Sequence, residues 1–191
     1  MNTIVFIRHG ETDMAGRFCG HSDPDLNPAG LSQVSYLAEQ AVMLGIERIY
    51  SSDLRRASQT AIAIAQRIGI GLSYLPALRE IHFGLWESLN WQEIEERFPD
   101  EAERWLREFP LHRAPDGESY AEFTARIDAV IAPFLETTAA TTTAIVTHRG
   151  VMRYALTRFF SISESEAWEK TAPYCATVVA AARTRNCEVS L

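Results

Sequence analysis

The sequence has few of the features that would point to a membrane, a disulfide framework or a nucleic acid. No apolar run approaches the roughly 18 residues that a membrane-spanning helix requires, and no basic leader precedes the first apolar segment. Cys19, Cys175 and Cys187 are odd in number and lack a metal-ligand spacing such as CxxC. Acidic residues outnumber basic ones by 25 to 18, whereas a general nucleic-acid binder is usually basic. We therefore expect a cytoplasmic protein with reduced cysteines and with neither membrane nor nucleic-acid partners.

Lysine is almost absent. Lys170 is the only lysine, so nearly all of the positive charge is carried by arginine. The planar guanidinium group binds phosphate or carboxylate through two parallel hydrogen bonds, and an arginine-rich region can therefore attract an anionic ligand. Codon bias explains the composition equally well.

The first half of the chain alternates between strand and helix patterns. An apolar run from Ile4 to Ile7 has no polar alternation, which is typical of a strand covered on both faces. Asn27-Pro28 begins a helical pattern that ends at Gly45. A second strand over 46–50 and a second helix ending at Gly69 follow. This order predicts an α/β protein with three α/β/α layers and a mainly parallel sheet.

The second half continues this pattern after an acidic interruption. With 191 residues the chain fits one domain over 1–191, and the acidic helical segment suggests a small cap insert at about 88–115. The run 144–147 repeats the character of the opening strand. We then expect a helix from Val151 to Phe160, an exposed turn containing Glu164 and Glu166, and strands over 176–182 and 187–191.

Charged and imidazole side chains follow three of the predicted strands. His9 and His148 each come directly after an apolar run, and Arg55-Arg56 follows the strand that ends at Tyr50. Ligands of open α/β sheets bind outside the carboxyl ends of the strands, where these side chains would meet. Histidines and arginines without a cysteine or aspartate cluster favour a phosphoryl group over zinc. Zinc remains an alternative, although HExxH spacing is absent.

Five blocks in order along the chain carry a family resemblance. Together they resemble the histidine phosphatase, or phosphoglycerate-mutase-like, superfamily, and within it most closely the alpha-ribazole phosphatases and their broad-specificity relatives. The blocks are Arg8-His9-Gly10-Glu11-Thr12, Ser51-Ser52-Asp53-Leu54-Arg55-Arg56-Ala57, Leu78-Arg79-Glu80 with Gly84-Leu85-Trp86-Glu87, Gly117-Glu118-Ser119, and Val146-Thr147-His148-Arg149-Gly150.

The resemblance implies covalent catalysis without a metal or other cofactor. His9 would be the nucleophile that forms a phosphohistidine, which water then hydrolyses. Arg8, Arg56 and His148 would hold the phosphoryl oxygens. Glu80 would protonate the leaving oxygen and then activate the water.

We also predict three substrate contacts, at Thr12, His21 and Arg149. The family commonly has an asparagine shortly after the first motif and a glycine after the second histidine, whereas here Asp13-Met14-Ala15 follows Thr12 and Arg149 follows His148. Ser88 likewise stands where a glycine is often found. These departures weaken any assignment of substrate by analogy.

The function predicted from the sequence is therefore hydrolysis of a small phosphorylated metabolite by a monomer or homodimer. Alpha-ribazole 5′-phosphate is one candidate substrate. The alternatives are a phosphotransferase of the phosphoglycerate mutase type and a non-catalytic phosphate-binding protein on the same fold.

Overall fold

The computed structural model describes residues 2–136 and 140–181, and within them five strands form one sheet. The strands run in the spatial order β3-β2-β4-β1-β5, and only β5 is antiparallel to its neighbour. The mainly parallel sheet predicted from the sequence is confirmed. The strands are β1 (Thr3–Arg8), β2 (Arg48–Ser51), β3 (Leu72–Tyr74), β4 (Thr142–Thr147) and β5 (Thr177–Ala181).

Helices cover both faces of the sheet, which confirms the three-layer α/β/α prediction. Ile4 and Phe6 of β1 pack on one face in an apolar cluster with side chains of α5 and α6, while Val5 and Ile7 pack on the other with α1 and α2. The uninterrupted apolar run at 4–7 is thus explained, because both faces of β1 are buried. The helices are α1 (Pro28–Ala41), α2 (Arg55–Ile68), α3 (Trp91–Arg97), α4 (Pro99–Glu108), α5 (Tyr120–Glu136), α6 (Arg149–Phe160) and α7 (Glu164–Lys170).

The register of β1 and β4 brings two distant motifs together. The strands are parallel neighbours and Arg8 pairs with Thr147, so the residues that follow them, His9 and His148, leave the sheet side by side. A hydrogen bond of 3.1 Å from the His9 N–H to the Thr147 carbonyl continues the pairing beyond the strands.

The segment α3–α4 has an apolar cluster of its own. Trp86, Ile94, Ala102 and Ala114 are buried together, with aromatic side chains packed against them, and they belong to neither sheet-side cluster. Both helices fall inside the predicted cap insert at 88–115. Among residues 2–136 and 140–181, no helix combines the length and apolar character needed to cross a bilayer.

Several predicted boundaries need correction near the end of the chain. The exposed turn predicted around Glu164 is wrong, because Ser163 accepts a hydrogen bond from the Glu166 N–H and begins helix α7. Strand β4 begins at Thr142 and helix α6 at Arg149, each two residues earlier than expected. The predicted strand over 187–191 lies outside the described residues.

Candidate active site

A cleft of about 800 Å³ opens beside the carboxyl ends of β1 and β4. Five predicted site residues line it: Arg8, His9, Thr12, Glu80 and Arg149. Much of the remaining wall is aromatic, and these rings come from the cap, the sheet edge and the helices of one face. They are Phe18, Phe83, Trp105, Phe109, Tyr120, Phe123, Tyr154, Trp168 and Tyr174.

His9 is held as a neutral imidazole with one free ring nitrogen. Its Nδ1 lies 2.7 Å from the Gly10 carbonyl oxygen, and because a carbonyl only accepts, the proton belongs on Nδ1. The Nε2 atom therefore keeps its lone pair. Burial, reinforced by the positive charge of Arg56, holds the pKa of His9 well below its ordinary value. A neutral imidazole with a free nitrogen is the form that can act as a nucleophile.

His148 lies against His9, with 5.2 Å between the ring centroids. Its Nε2 is 2.9 Å from the hydroxyl oxygen of Ser52. Its Nδ1 is buried and has no hydrogen-bond partner within the described part of the chain. Burial, with the charge of Arg56 next in importance, lowers the pKa of His148 well below its ordinary value. His148 is thus a buried neutral group with an unused polar atom.

Arg56 is buried near enough to the two histidines for its charge to act on both, but it does not line the cleft. Only 1% of its surface is exposed, and its two terminal nitrogens donate to backbone carbonyls of the loop 19–22, at 2.7 Å to Ser22 and 2.8 Å to Gly20. Its Nε has no partner among residues 2–136 and 140–181. Arg56 therefore supplies positive charge to the site while it anchors a loop.

Arg8 is held across the mouth of the cleft. Its guanidinium donates to the carbonyls of Thr171 and Ala172, and its central carbon lies 4.2 Å from the centroid of the Tyr174 ring. Burial lowers its pKa from the ordinary value. These contacts fix a cation beside His9 without pairing it with a carboxylate.

The Glu80 carboxylate is fixed by two backbone groups. The Gly150 N–H donates to Oε2 at 2.8 Å, and the Ile81 N–H donates to Oε1 at 3.1 Å. A Cβ atom at position 150 would lie 2.3 Å from Oε1. Glycine is therefore required at 150 if Glu80 is to keep this position.

The three predicted substrate contacts have different surroundings. Thr12 is buried, and its hydroxyl accepts from the Met14 N–H at 3.3 Å. His21 lies behind Glu80, 3.1 Å from its carbonyl oxygen, and does not line the cleft. Arg149 reaches the cleft and lies over the ring of Trp168.

The zinc alternative has no ligand set in the described ranges, since no three His, Cys, Asp or Glu side chains there could hold a metal ion together.

A family model described as histidine phosphatase superfamily, branch 1, matches residues 4–191. The chain belongs to this superfamily. The resemblance drawn from the five blocks is thereby confirmed, and a phosphoryl-transfer site at the ends of β1 and β4 agrees with it.

Two curated relatives illustrate the range of this superfamily. The chain is 35% identical over 154 residues to a probable phosphoglycerate mutase of Citrobacter koseri, and the matched segment covers 78% of this chain and 70% of that protein. It is 28% identical over 170 residues to phosphoserine phosphatase 1 of Hydrogenobacter thermophilus, and this match covers 88% of this chain and 81% of that protein.

Solved structures of other superfamily members share the fold. An alpha-ribazole phosphatase from Shigella flexneri superposes with a TM-score of 0.83 over 93% of this chain and 89% of that one, at 23% identity. A mycobacterial glucosyl-3-phosphoglycerate phosphatase in complex with VO3 superposes with a TM-score of 0.79 over 94% of this chain and 90% of that one, at 26% identity.

In this superfamily member, an ion pair missed by sequence reasoning supports Glu80. Arg126 donates to both carboxylate oxygens of Glu118, at 2.6 and 2.8 Å, and also to the carbonyls of Ala77, Arg79 and Glu80. It thereby clamps the loop that carries Glu80. The Gly117-Glu118-Ser119 block pointed to Glu118, but nothing in the sequence marked Arg126, eight residues later, as the partner of Glu118.

Glu87 is a second supporting residue that sequence reasoning missed. Its carboxylate accepts from the backbone N–H groups of 20–22, from that of Phe83 and from the Ser22 hydroxyl. Burial raises the pKa of Glu87, but these hydrogen bonds outweigh burial and the net shift is downward. Glu87 thus shapes the loop whose carbonyls hold Arg56.

Proposed function

We propose that this protein is a phosphomonoesterase that hydrolyses a small phosphate ester without a metal ion, through a phosphohistidine on His9. The observation that carries the proposal is the state of His9: neutral, with Nδ1 bonded to the Gly10 carbonyl and Nε2 free. Arg8 and Glu80 line the same cleft and would supply a cation and a proton donor.

The proposed reaction has two displacements at phosphorus. His9 Nε2 attacks the phosphoryl group, the bond from phosphorus to the leaving oxygen breaks, and Glu80 gives its proton to that oxygen. Water then attacks the phosphohistidine while Glu80 takes a proton from it, and the P–N bond breaks to release phosphate. Arg8 would hold the phosphoryl oxygens through both steps, while the positive charge of Arg56 and the buried His148 beside His9 would stabilise the negative charge on the phosphoryl group.

Alpha-ribazole 5′-phosphate is the specific substrate that we propose to test first. The Shigella flexneri structure bears the name of that activity, and the aromatic wall of the cleft suits the planar base of this ester. That substrate would place the enzyme in cobalamin biosynthesis. Phosphoglycerate phosphotransfer is the second candidate, favoured by the 35% identity with the Citrobacter koseri protein.

The test is phosphate release by wild type and His9→Ala in the presence of a metal chelator. The panel contains alpha-ribazole 5′-phosphate, 3-phosphoglycerate, sugar phosphates and an aryl phosphate. We expect His9→Ala to lose about 1,000-fold or more of the activity, because it removes the nucleophile. His112→Ala is the matched control, since His112 bonds to Glu101 outside the cleft.

Each alternative function has its own outcome in this experiment. Turnover concentrated on alpha-ribazole 5′-phosphate supports that substrate, and comparable turnover of several esters indicates a general phosphatase. Conversion of 3-phosphoglycerate to its 2-isomer with little phosphate release would identify a mutase. Release that is unaffected by the loss of His9 would overturn the mechanism, and binding of the esters without turnover would identify a non-catalytic protein.

A further inference from the structure

Two arginines on one helix share an aromatic platform at the cleft. Arg149 and Arg153 are one turn apart on α6, and both line the cleft. Their guanidinium carbons lie 4.0 and 4.5 Å from the centroid of the Trp168 ring on α7. A cation over an indole face is attracted by the ring, so Trp168 holds two positive groups close together.

These two cations are incompletely neutralised. The Nε atom of each is buried without a hydrogen-bond partner in the described part of the chain. Arg153 reaches the exposed carboxylate of Glu164 at 3.4 Å, while the hydrogen bond of the Arg149 side chain within residues 2–136 and 140–181 goes to the Trp168 carbonyl, at 3.3 Å. Burial, followed by the charge of Arg153, lowers the pKa of Arg149. An anion bound between the two guanidinium groups would relieve this repulsion and accept hydrogen bonds from their terminal nitrogens.

The pair lies on the side of the cleft where Glu80 is held. Arg149 directly precedes Gly150, whose N–H fixes the Glu80 carboxylate. In the proposed reaction Glu80 protonates the leaving oxygen, so groups beside it face the alcohol part of the ester rather than the far side of the phosphoryl group. The sequence resemblance offers no precedent for this pair, because the family commonly has a glycine where Arg149 stands.

We propose that Arg149 and Arg153, held on Trp168, form a subsite for a carboxylate carried by the leaving group. This inference rests on the proposed phosphatase function and names its substrate class: phosphate esters of hydroxy acids. The forked guanidinium group suits a carboxylate, which accepts two parallel hydrogen bonds. Alpha-ribazole 5′-phosphate has no anionic group besides its phosphoryl group. A carboxylate subsite therefore predicts a higher kcat/KM for hydroxy-acid esters than for alpha-ribazole 5′-phosphate.

The test compares two esters that differ only at this group. 3-Phosphoglycerate has a carboxylate where glycerol 3-phosphate has a hydroxymethyl group. We expect wild type to prefer 3-phosphoglycerate in kcat/KM by about 10- to 100-fold, as a charge-assisted contact provides. Arg153→Gln and, separately, Arg149→Gln should each reduce this preference about tenfold. Arg158→Gln is the matched control on the same helix, because Arg158 is exposed outside the cleft.

Binding provides a readout that does not depend on turnover. Calorimetry of His9→Ala with each ester should show tighter binding of 3-phosphoglycerate, and adding Arg153→Gln should reduce the difference in affinity about tenfold. Equal affinities, or a preference that survives both arginine changes, would overturn the subsite. If aryl phosphate hydrolysis depends on His9 but 3-phosphoglycerate is not preferred over glycerol 3-phosphate, the phosphatase function stands and only the subsite is rejected. Tighter binding of 3-phosphoglycerate without hydrolysis of any ester would support the subsite and reject the phosphatase function.

Discussion

The floor and the rim of the cleft are built differently. We define the floor as the buried cluster His9, His148 and Arg56, of which His9 alone is among the residues that line the cleft in the described part of the chain. Of their surfaces, 7%, 1% and 1% respectively are exposed. The rim includes Phe109 and Trp168, which are 55% and 51% exposed. Buried side chains that are fixed by the core cannot adapt to different alcohols, whereas exposed side chains can change without disturbing the core. Under the proposed function, this contrast predicts that the floor carries out the phosphoryl chemistry and that the rim determines substrate selectivity.

The supporting contacts follow the same division. Floor side chains are tied to the sheet and its loops: His148 bonds to Ser52, and Arg56 holds the carbonyls of Gly20 and Ser22. Rim residues mainly make contacts with one another, such as the stacking of Arg153 on Trp168. A change in the floor should therefore alter kcat or stability, and a change in the rim should alter KM.

After the loss of His9 itself, the largest expected effect comes from moving Glu80 without replacing it. In Gly150→Ala the new methyl group would lie 2.3 Å from the Glu80 carboxylate, which must swing away because it is the flexible partner. We expect kcat to fall about 100-fold, as for a lost general acid and base, with a change of less than about 1 kcal/mol in the free energy of unfolding. Steady-state kinetics and urea denaturation measure the two quantities.

Gly71→Ala is the matched control for this change. Nothing lies within 4 Å of a Cβ at position 71. A kcat for Gly150→Ala equal to that of Gly71→Ala would mean that the position of Glu80 does not matter for catalysis.

The second expected effect is a loss of stability in mild acid. The pKa values of His9 and His148 are well below the ordinary value of 6.5 in the folded protein. Below about pH 6.5 the unfolded chain therefore binds more protons than the folded one. The free energy of unfolding should be retained above that pH and should fall by up to about 1.4 kcal/mol per pH unit for each histidine below it.

Urea denaturation between about pH 7.5 and pH 5 measures this dependence. His148→Asn keeps a polar side chain but removes one titrating group, so its slope below about pH 6.5 should be shallower than that of wild type. Identical slopes would show that His148 does not contribute to the acid sensitivity.

The smallest expected effect is in the rim. Phe109 packs against Trp105 and Tyr120, with 5.2 and 6.0 Å between ring centroids, and lines the cleft. Phe109→Ala should raise KM for an aryl phosphate about fivefold and leave kcat unchanged, because a half-exposed ring contributes about 1 kcal/mol of apolar contact. Leu111→Ala, 89% exposed and outside the cleft, is the control. A fall in kcat would contradict the division between floor and rim.

Sequence patterns predicted the sheet, its covering helices and the position of the motifs. The reason is physical: β1 is apolar on both faces, and residues that follow parallel strands must meet at one edge. The positions of Arg8, His9 and His148 could be predicted in this way, whereas Glu80 was predicted only from the family resemblance. The helix α7 was missed because its pattern is short, although Ser163 carries an ordinary capping signal.

Contacts between distant segments could not be predicted. Glu87 organises a loop more than 60 residues earlier in the chain, and Arg126 clamps the loop that carries Glu80. Single charged residues of this kind have no periodicity, and only the folded backbone decides whether they face solvent or backbone groups. The burial of Arg56 under carbonyls was hidden for the same reason.

The strand order has a consequence for the growing chain on the ribosome. Strand β1 is synthesised first, yet its sheet neighbours are β4 and β5, which come after residue 140. Until those segments emerge, the apolar run at 4–7 has no partner and is open to misassociation or to capture by chaperones. His9 is thus translated well before His148, the histidine against which it packs in the folded protein.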